Sequence, residues 1–308
     1  MSDSPIAIGV DLGGTKIEAL ALDAHGRELW RRRVPTPAGD YAGTLSAIGA
    51  LVGAARTELA ARSITLGIGT PGSLAHDGRL KNSNSTCLNG MPLAADLERE
   101  LGARVRIAND ADCLALSEAT DGAGAGANTV FAVILGTGVG GGIAVRGTVL
   151  HGPNGLSGEW GHNPLPWREA GEDSELECYC GARGCIETLL SGTGLARDHA
   201  ARTGSSSSAA EIAVAAEAGD ADARASLARY ESRLARALAA VINLLDPDVI
   251  VLGGGVSRIE RLYENVPRLW SAHVFCAGVP TQVRTPLRQS QHGDSSGVRG
   301  AAWLGRSA

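Results

Sequence analysis

The sequence predicts an α/β protein of two similar halves facing a cleft. A short apolar strand, a glycine turn and a second apolar run occur near the N-terminus and recur about half the chain later. Helical and strand periods alternate around both copies. The 308 residues are 44% hydrophobic and only 20% charged, enough apolar material for a core and unlike a disordered chain.

The first copy is an apolar strand over residues 6–10, the turn Asp11-Leu-Gly-Gly-Thr15-Lys16, and a second apolar run over 17–22. Strand, glycine turn, strand is a β-hairpin, unlike a P-loop, where the glycines open a helix. Helical spacing follows over 44–62, then a strand over 65–68 ending in Gly69-Thr-Pro71-Gly72. Residues 96–101 are helical, 105–108 form a strand ending at Asn109-Asp110, and 111–120 are helical. The second copy is the strand 130–135, the glycine-rich turn 136–142 and the strand 143–145. A polar serine connector at 205–208 precedes a helix over 209–218, and another over 222–245 is stopped by Asp246-Pro247. Residues 249–252 form a buried strand running into Gly253-Gly254-Gly255, 259–270 an amphipathic helix, and 295–304 a terminal helix that crosses back onto the first half. The expected domains are therefore 1–118 and 119–293, with 294–308 returning to the first.

A formal charge of -5 without any Lys/Arg cluster excludes nucleic acid as the main partner. The six cysteines stand in a chain with no N-terminal apolar signal and no membrane-length run, which reads as cytoplasmic. Clustered cysteines there more often bind metal than pair as disulfides. Cys178, Cys180 and Cys185, in C-x-C-x4-C spacing on a glycine-bent loop, with His162 upstream, make a four-ligand set for structural Zn2+. Glu159 and Glu187 ride on the same segment, so one metal would place both carboxylates. Cys87, Cys113 and Cys276 stand alone and read as structural.

In open α/β sheets ligands collect beyond the carboxyl ends of strands, which gathers Asp11, Gly72, Asn109, Asp110 and the Gly253 turn around one cleft. Glycine turns offer unobstructed N–H groups to phosphate oxygens, and three of them, each ending an apolar strand, point to a nucleotide. Asp110, between a strand and a helix, is either the reacting carboxylate or the helix N-cap, and the pattern leaves both open.

The segments Asp11 to Lys16, Asn109-Asp110-Ala111, Gly136 to Gly142, Gly158 to His162 and Cys178 to Glu187 resemble, in order and over the full length, the ROK family of bacterial sugar kinases. Further matches at 81–86, 163–167 and 292–303 look like its fructokinase members, the manno(fructo)kinase type in particular. The resemblance implies an actin-like ATPase (ribonuclease H-like) fold acting on ATP, with Mg2+, and a hexose, often as a dimer. By the same resemblance Asp110 is the catalytic base, and Gly72, Asn84, Asn109, Glu159, His162 and Glu187 hold the sugar. Asp11 orients Mg2+, Gly13, Gly14, Thr15, Lys16, Thr137 and Gly138 surround the phosphates, and Gly254 and Gly255 line the adenosine side. Few reactive side chains are expected, because phosphoryl transfer is catalysed mainly by positioning and charge stabilisation.

The resemblance makes fructose the expected substrate, phosphorylated at its 6-hydroxyl. Glucose, mannose and N-acetylated hexosamines present overlapping hydroxyl patterns that the motifs do not separate. An acidic stretch with Glu169, Glu172, Asp173, Glu175 and Glu177, longer than in many family members, is expected as an excursion beside the sugar site or as a plain solvated loop. Some relatives are sugar-responsive repressors with an N-terminal helix-turn-helix, for which a first strand at Ile6 leaves no room. A noncatalytic sugar sensor would not need the ATP turns.

Overall fold

Both faces of Ile6–Leu12 (β1) are covered, which is why the strand is apolar from Ile6 to Val10 instead of alternating. The computed structural model, which describes residues 5–61, 63–83, 85–172, 175–275 and 283–306, sets β1 at the centre of a five-stranded sheet. Lys16–Leu22 (β2) pairs antiparallel with it across the glycine turn, and Glu28–Pro35 (β3) pairs antiparallel with β2 at the sheet edge. The sequence pattern did not disclose β3, because arginines occupy its centre. Arg31 and Arg33, two residues apart, share a face and hold the buried Glu18 of β2 at 2.5 and 2.9 Å.

Tyr41–Glu58 (α1) follows, with Ile48, Leu51, Val52 and Ala55 on its buried stripe. Asp40 caps it by accepting the Gly43 amide at 2.9 Å. The helix is shorter than the expected 44–62, since at Ala60 the backbone has already turned to φ +47°. Next come Ile64–Thr70 (β4), the small hairpin Ser73–Leu74 (β5) and Leu80–Lys81 (β6), Leu93–Leu101 (α2), Val105–Asn109 (β7) and Asp110–Asp121 (α3). β4 runs parallel to β1, and β7 to β4, so the three end along one edge. The register places Asp11 beside Gly69 and Thr70 beside Asn109.

Thr129–Leu135 (β8), Val139–Val145 (β9) and Thr148–Val149 (β10) open a second five-stranded sheet. After them come Ile186–Leu190 (α4), Gly192–Thr203 (α5), Ala209–Glu217 (α6), Ala221–Leu245 (α7), Val249–Gly253 (β11), Leu262–Trp270 (α8) and Leu287–Gln289 (β12). Ser208 and Glu211 form a capping box at α6, and α7 stops at Asp246, φ +47°, ahead of Pro247. The expected start of α8 at 259 is corrected to Leu262, because Gly255–Arg258 winds as a separate 3-10 turn. The two sheets have orders β3-β2-β1-β4-β7 and β10-β9-β8-β11-β12. Counted within itself, each runs third, second, first, fourth, fifth, so the repeat extends from the hairpins to whole sheets.

Ser296–Arg306 (α9) packs Val298 and Ala302 on Ala7, Leu20 and Leu22, and Ala301 and Leu304 on Cys113 and Leu116. The chain forms two units: Met1–Gly126 with Gly142–Ser157 and Asp294–Ala308, and Ala127–Gly141 with Gly158–Gly293. A break at 118 would cut α3, and 142–157 go with the first unit instead of the second. Val149 shares a cluster with Ala108 and Cys113, and a side chain at Gly142 would stand 2.2 Å from the Ala111 carbonyl. Among the described residues all cysteines are free, and no helix is long and apolar enough to cross a membrane. Cys276 lies outside the described residues.

Candidate active site and cysteine cluster

In the first unit the parallel strand ends bring Asp11, Lys16, Gly72, Asn109 and Asp110 to one edge. Asp11 is pushed up to about 6, first by burial, then by the Asp110 and Glu18 carboxylates, with Lys16 and Arg33 opposing. The β1–β2 turn is closed by the Gly13 amide donating to the Lys16 carbonyl at 3.0 Å. Gly14, Thr15 and Lys16 are exposed, and Gly14 and Thr15 border a cavity of about 430 Å³ with Thr36, Ser85 and Thr86.

Asn109 ends β7 and caps α3, its Oδ1 accepting the Asp112 amide at 2.6 Å. The cap that the sequence pattern left open for Asp110 therefore falls on its neighbour. Asp110 is the first helical residue, with Oδ1 accepting the Ala111 amide at 2.8 Å. Protein crowded around it raises its pKa although part of the side chain stays accessible, and the backbone hydrogen bonds act against that rise. Gly72 has φ +84°, and a Cβ there would meet the Lys81 carbonyl at 2.4 Å, so the turn after β4 requires glycine. Gly72 and Asn109 border a second cavity, of about 230 Å³. Asn84 lies outside the described residues.

In the second unit the thiols and the imidazole converge. The Sγ atoms of Cys178, Cys180 and Cys185 and one ring nitrogen of His162 all lie within 4.8 Å of one another. Cys180 and Cys185 sulfurs are 3.7 Å apart, and Cys178 Sγ is 3.5 Å from His162 Nδ1. Zinc–sulfur bonds of about 2.3 Å in a tetrahedron give edges of about 3.8 Å, so donor chemistry and spacing both suit zinc. His162 Nε2 faces away from the thiols, 3.1 Å from Tyr179 Oη and 4.0 Å from Glu159. The two ring nitrogens can thus serve different partners.

Glu187 lies in the first turn of α4, and its Oε2 accepts the Val139 amide at 2.9 Å. Gly138 sits directly against this carboxylate. The α5 terminus, which sequence reasoning missed, closes on the same turn: Gly192 N–H donates to Gly136 at 2.7 Å and the Thr193 hydroxyl to Thr137 at 3.2 Å. Its glycine-rich opening lacks an apolar stripe, so no helical period marked it. Gly254, φ +83°, packs on Leu135, the last residue before that turn, while Gly255 has open space beside it.

The acidic stretch is only in part the solvated loop that the sequence offered as one reading. Glu172 is buried against α7, with Arg236 at 2.5 and 2.8 Å and Arg233 at 3.1 Å. Glu175 and Glu177 do stay exposed, each paired with Arg183, and Asp173 lies outside the described residues.

A family model described as ROK family matches residues 7–308. The chain is 42% identical over 301 residues to an N-acetyl-D-glucosamine kinase of Erwinia tasmaniensis, covering 96% of this chain and 98% of that protein. Among solved structures it is similar to a ROK hexokinase from Thermus thermophilus, with TM-score 0.84, 32% identity and 97% of each chain covered. It is also similar to a ROK family glucokinase from Streptomyces griseus in complex with glucose and AMPPNP, with TM-score 0.77, 30% identity, and 98% and 100% coverage. None of these relatives is named a fructokinase, the type that the sequence reading expected. Two residues of the segments that suggested it make scaffold contacts: the Asn163 carbonyl accepts the Ile186 amide at 2.8 Å, and Trp303 packs into the first unit's core. Such positions report the family and leave the sugar unspecified.

Proposed function

This chain belongs to the ROK family, is an α/β protein of the actin-like sugar-kinase fold that transfers phosphate from ATP, and, we propose, acts on N-acetylglucosamine at its 6-hydroxyl. The observation that carries the substrate is the 42% identity, over nearly the whole of both chains, to an N-acetyl-D-glucosamine kinase. Glucose is the second reading, favoured by the similarity to a glucokinase at 30% identity.

Each residue's part follows from its surroundings. Asp110 accepts the proton of the attacking hydroxyl, a task suited to a carboxylate fixed by the Ala111 amide at the start of a helix. Asn109 has its Oδ1 committed to the Asp112 amide, so its Nδ2 is turned to donate to a sugar oxygen. Glu159, His162 Nε2 and Glu187 supply acceptors and a ring nitrogen for further hydroxyls. Gly72 brings bare backbone up to the sugar.

Asp11 would hold Mg2+, which neutralises developing phosphate charge when bound. Its pKa is raised first by burial and then by the Asp110 and Glu18 carboxylates, a setting that a cation relieves. Gly13, Gly14, Thr15, Lys16, Thr137 and Gly138 take the phosphates, and Gly254 and Gly255 the adenosine side. His162, Cys178, Cys180 and Cys185 would hold structural zinc and, through it, the segment carrying Glu159 and Glu187.

Initial rates of ADP formation from Mg-ATP with N-acetylglucosamine, glucose, mannose and fructose test the assignment. N-acetylglucosamine should give the highest kcat/KM. A tenfold preference for glucose, about 1.4 kcal/mol of transition-state discrimination, selects the second reading.

A further inference from the structure

Tyr179, between Cys178 and Cys180, leaves 77% of its surface exposed, yet its hydroxyl end is held. Oη lies 3.1 Å from His162 Nε2, and the two rings meet edge to face with centroids 5.2 Å apart. Two carboxylates border the same imidazole and thiol: Glu159 is 4.0 Å from His162 Nε2, and Glu187 Oε1 is 3.7 Å from Cys178 Sγ. The negative charge of both reaches the Tyr179 hydroxyl.

The direction of each hydrogen follows from the metal. Zinc on Nδ1, the nitrogen beside Cys178 Sγ, leaves the ring hydrogen on Nε2, so His162 donates and Tyr179 Oη accepts. A phenol that accepts still carries its own O–H. Among the described residues His162 is the only hydrogen-bond partner of that hydroxyl, so the Tyr179 hydrogen is left for a further acceptor.

We propose that Tyr179 is a sugar-contacting residue, its hydroxyl accepting from His162 Nε2 and donating to an oxygen of the hexose. The assignment rests on the kinase function above and adds a donor beside the acceptors Glu159 and Glu187. A hexose hydroxyl both donates and accepts, and ionised carboxylates can take only its hydrogen. Tyr179 supplies the complementary half. Because the edge contact and the hydrogen bond already hold the ring, little side-chain freedom is lost when the sugar arrives. Displacing the ring would forfeit both contacts.

Tyr179→Phe tests this, since it keeps the ring and its edge contact and removes only the hydroxyl. KM for N-acetylglucosamine, or for glucose should the native chain prefer it, should rise about three- to tenfold, the worth of one hydrogen bond. KM for ATP and zinc content should stay unchanged. Cobalt in place of zinc, whose filled d shell is silent, makes the site visible, and the variant's cobalt spectrum should match the native one. A fall in KM would mean that the hydroxyl only competes with the sugar for Nε2. An unchanged KM would mean that it touches no sugar, and a raised KM with a shifted cobalt spectrum that it merely steadies His162. Each of these three overturns the contact and leaves the kinase intact, whereas a native chain that phosphorylates no hexose overturns both.

Discussion

Glu187 accepts the backbone N–H of Val139 at 2.9 Å, and this bond ties the carboxylate beside the cysteine cluster to the second glycine hairpin. Gly138 permits it, since a Cβ there would stand 2.6 Å from Glu187 Oε2. Gly138→Ala should therefore displace Glu187. A shift of about 1 Å in a positioning group costs up to about 10²-fold, so KM for the sugar should rise tenfold or more and exceed the change in KM for ATP. Steady-state kinetics with each substrate varied in turn decides this; an effect on ATP alone would reduce Gly138 to a phosphate contact.

The cysteine cluster predicts about one zinc per chain in freshly purified protein. Cys180→Ser removes the exposed member of the four donors while the other three keep their places. Metal content by mass spectrometry should fall, and with it affinity for the sugar, because the same loop carries Glu159 and Glu187. Fully active protein free of zinc would dismiss the structural metal.

Much of this was legible in the sequence because glycine turns and apolar strands speak locally. The β1–β2 hairpin, strands close to those ending at Thr70 and Asn109, and the convergence of Cys178, Cys180, Cys185 and His162 could all be read from spacing. β3 was not, since its arginines are explained by Glu18 on the neighbouring strand, a partner that only the sheet supplies. Glu172 escaped for the same reason: its burial depends on Arg233 and Arg236, about sixty positions further along. The fructokinase expectation leaned on segments such as those of Asn163 and Trp303, whose backbone and core contacts carry no information about the sugar.

Glu172 should stabilise the second unit in a pH-dependent way. Arg236 and Arg233 bring its carboxyl down to about 2, from 4.5, against an opposing burial effect. A carboxylate with a depressed folded-state pKa contributes its full stability above the unfolded value, and the contribution fades as pH falls from about 4.5 toward about 2. Glu172→Gln leaves Arg236, at 1% exposure, without this carboxylate, while Arg233 keeps Asp198 at 3.0 Å, and stranding the buried Arg236 charge costs about 3–5 kcal/mol near neutrality. Urea unfolding at pH 7 and pH 3 should show the gap between native and variant chains narrowing at the lower pH. A gap of constant size would mean that the ion pair does not titrate as described.

Asp110→Asn separates chemistry from architecture. Because Asn109 is the cap of α3, replacing Asp110 leaves that hydrogen bond to the Asp112 amide in place. The new amide can still accept from the Ala111 N–H through its oxygen, so helix and strand end should keep their positions. It cannot take up the hydroxyl proton, and loss of a general base costs about 10² to 10⁴ in rate. Turnover should therefore collapse by that factor while calorimetry still detects sugar binding. Asn109→Ala supplies the contrast: it removes the cap, at about 1 kcal/mol of stability, together with the donor proposed for the sugar, so its lesion should appear in unfolding and KM. Near-normal kcat in Asp110→Asn would refute the base assignment, since nothing else about the residue would have changed enough to conceal the loss.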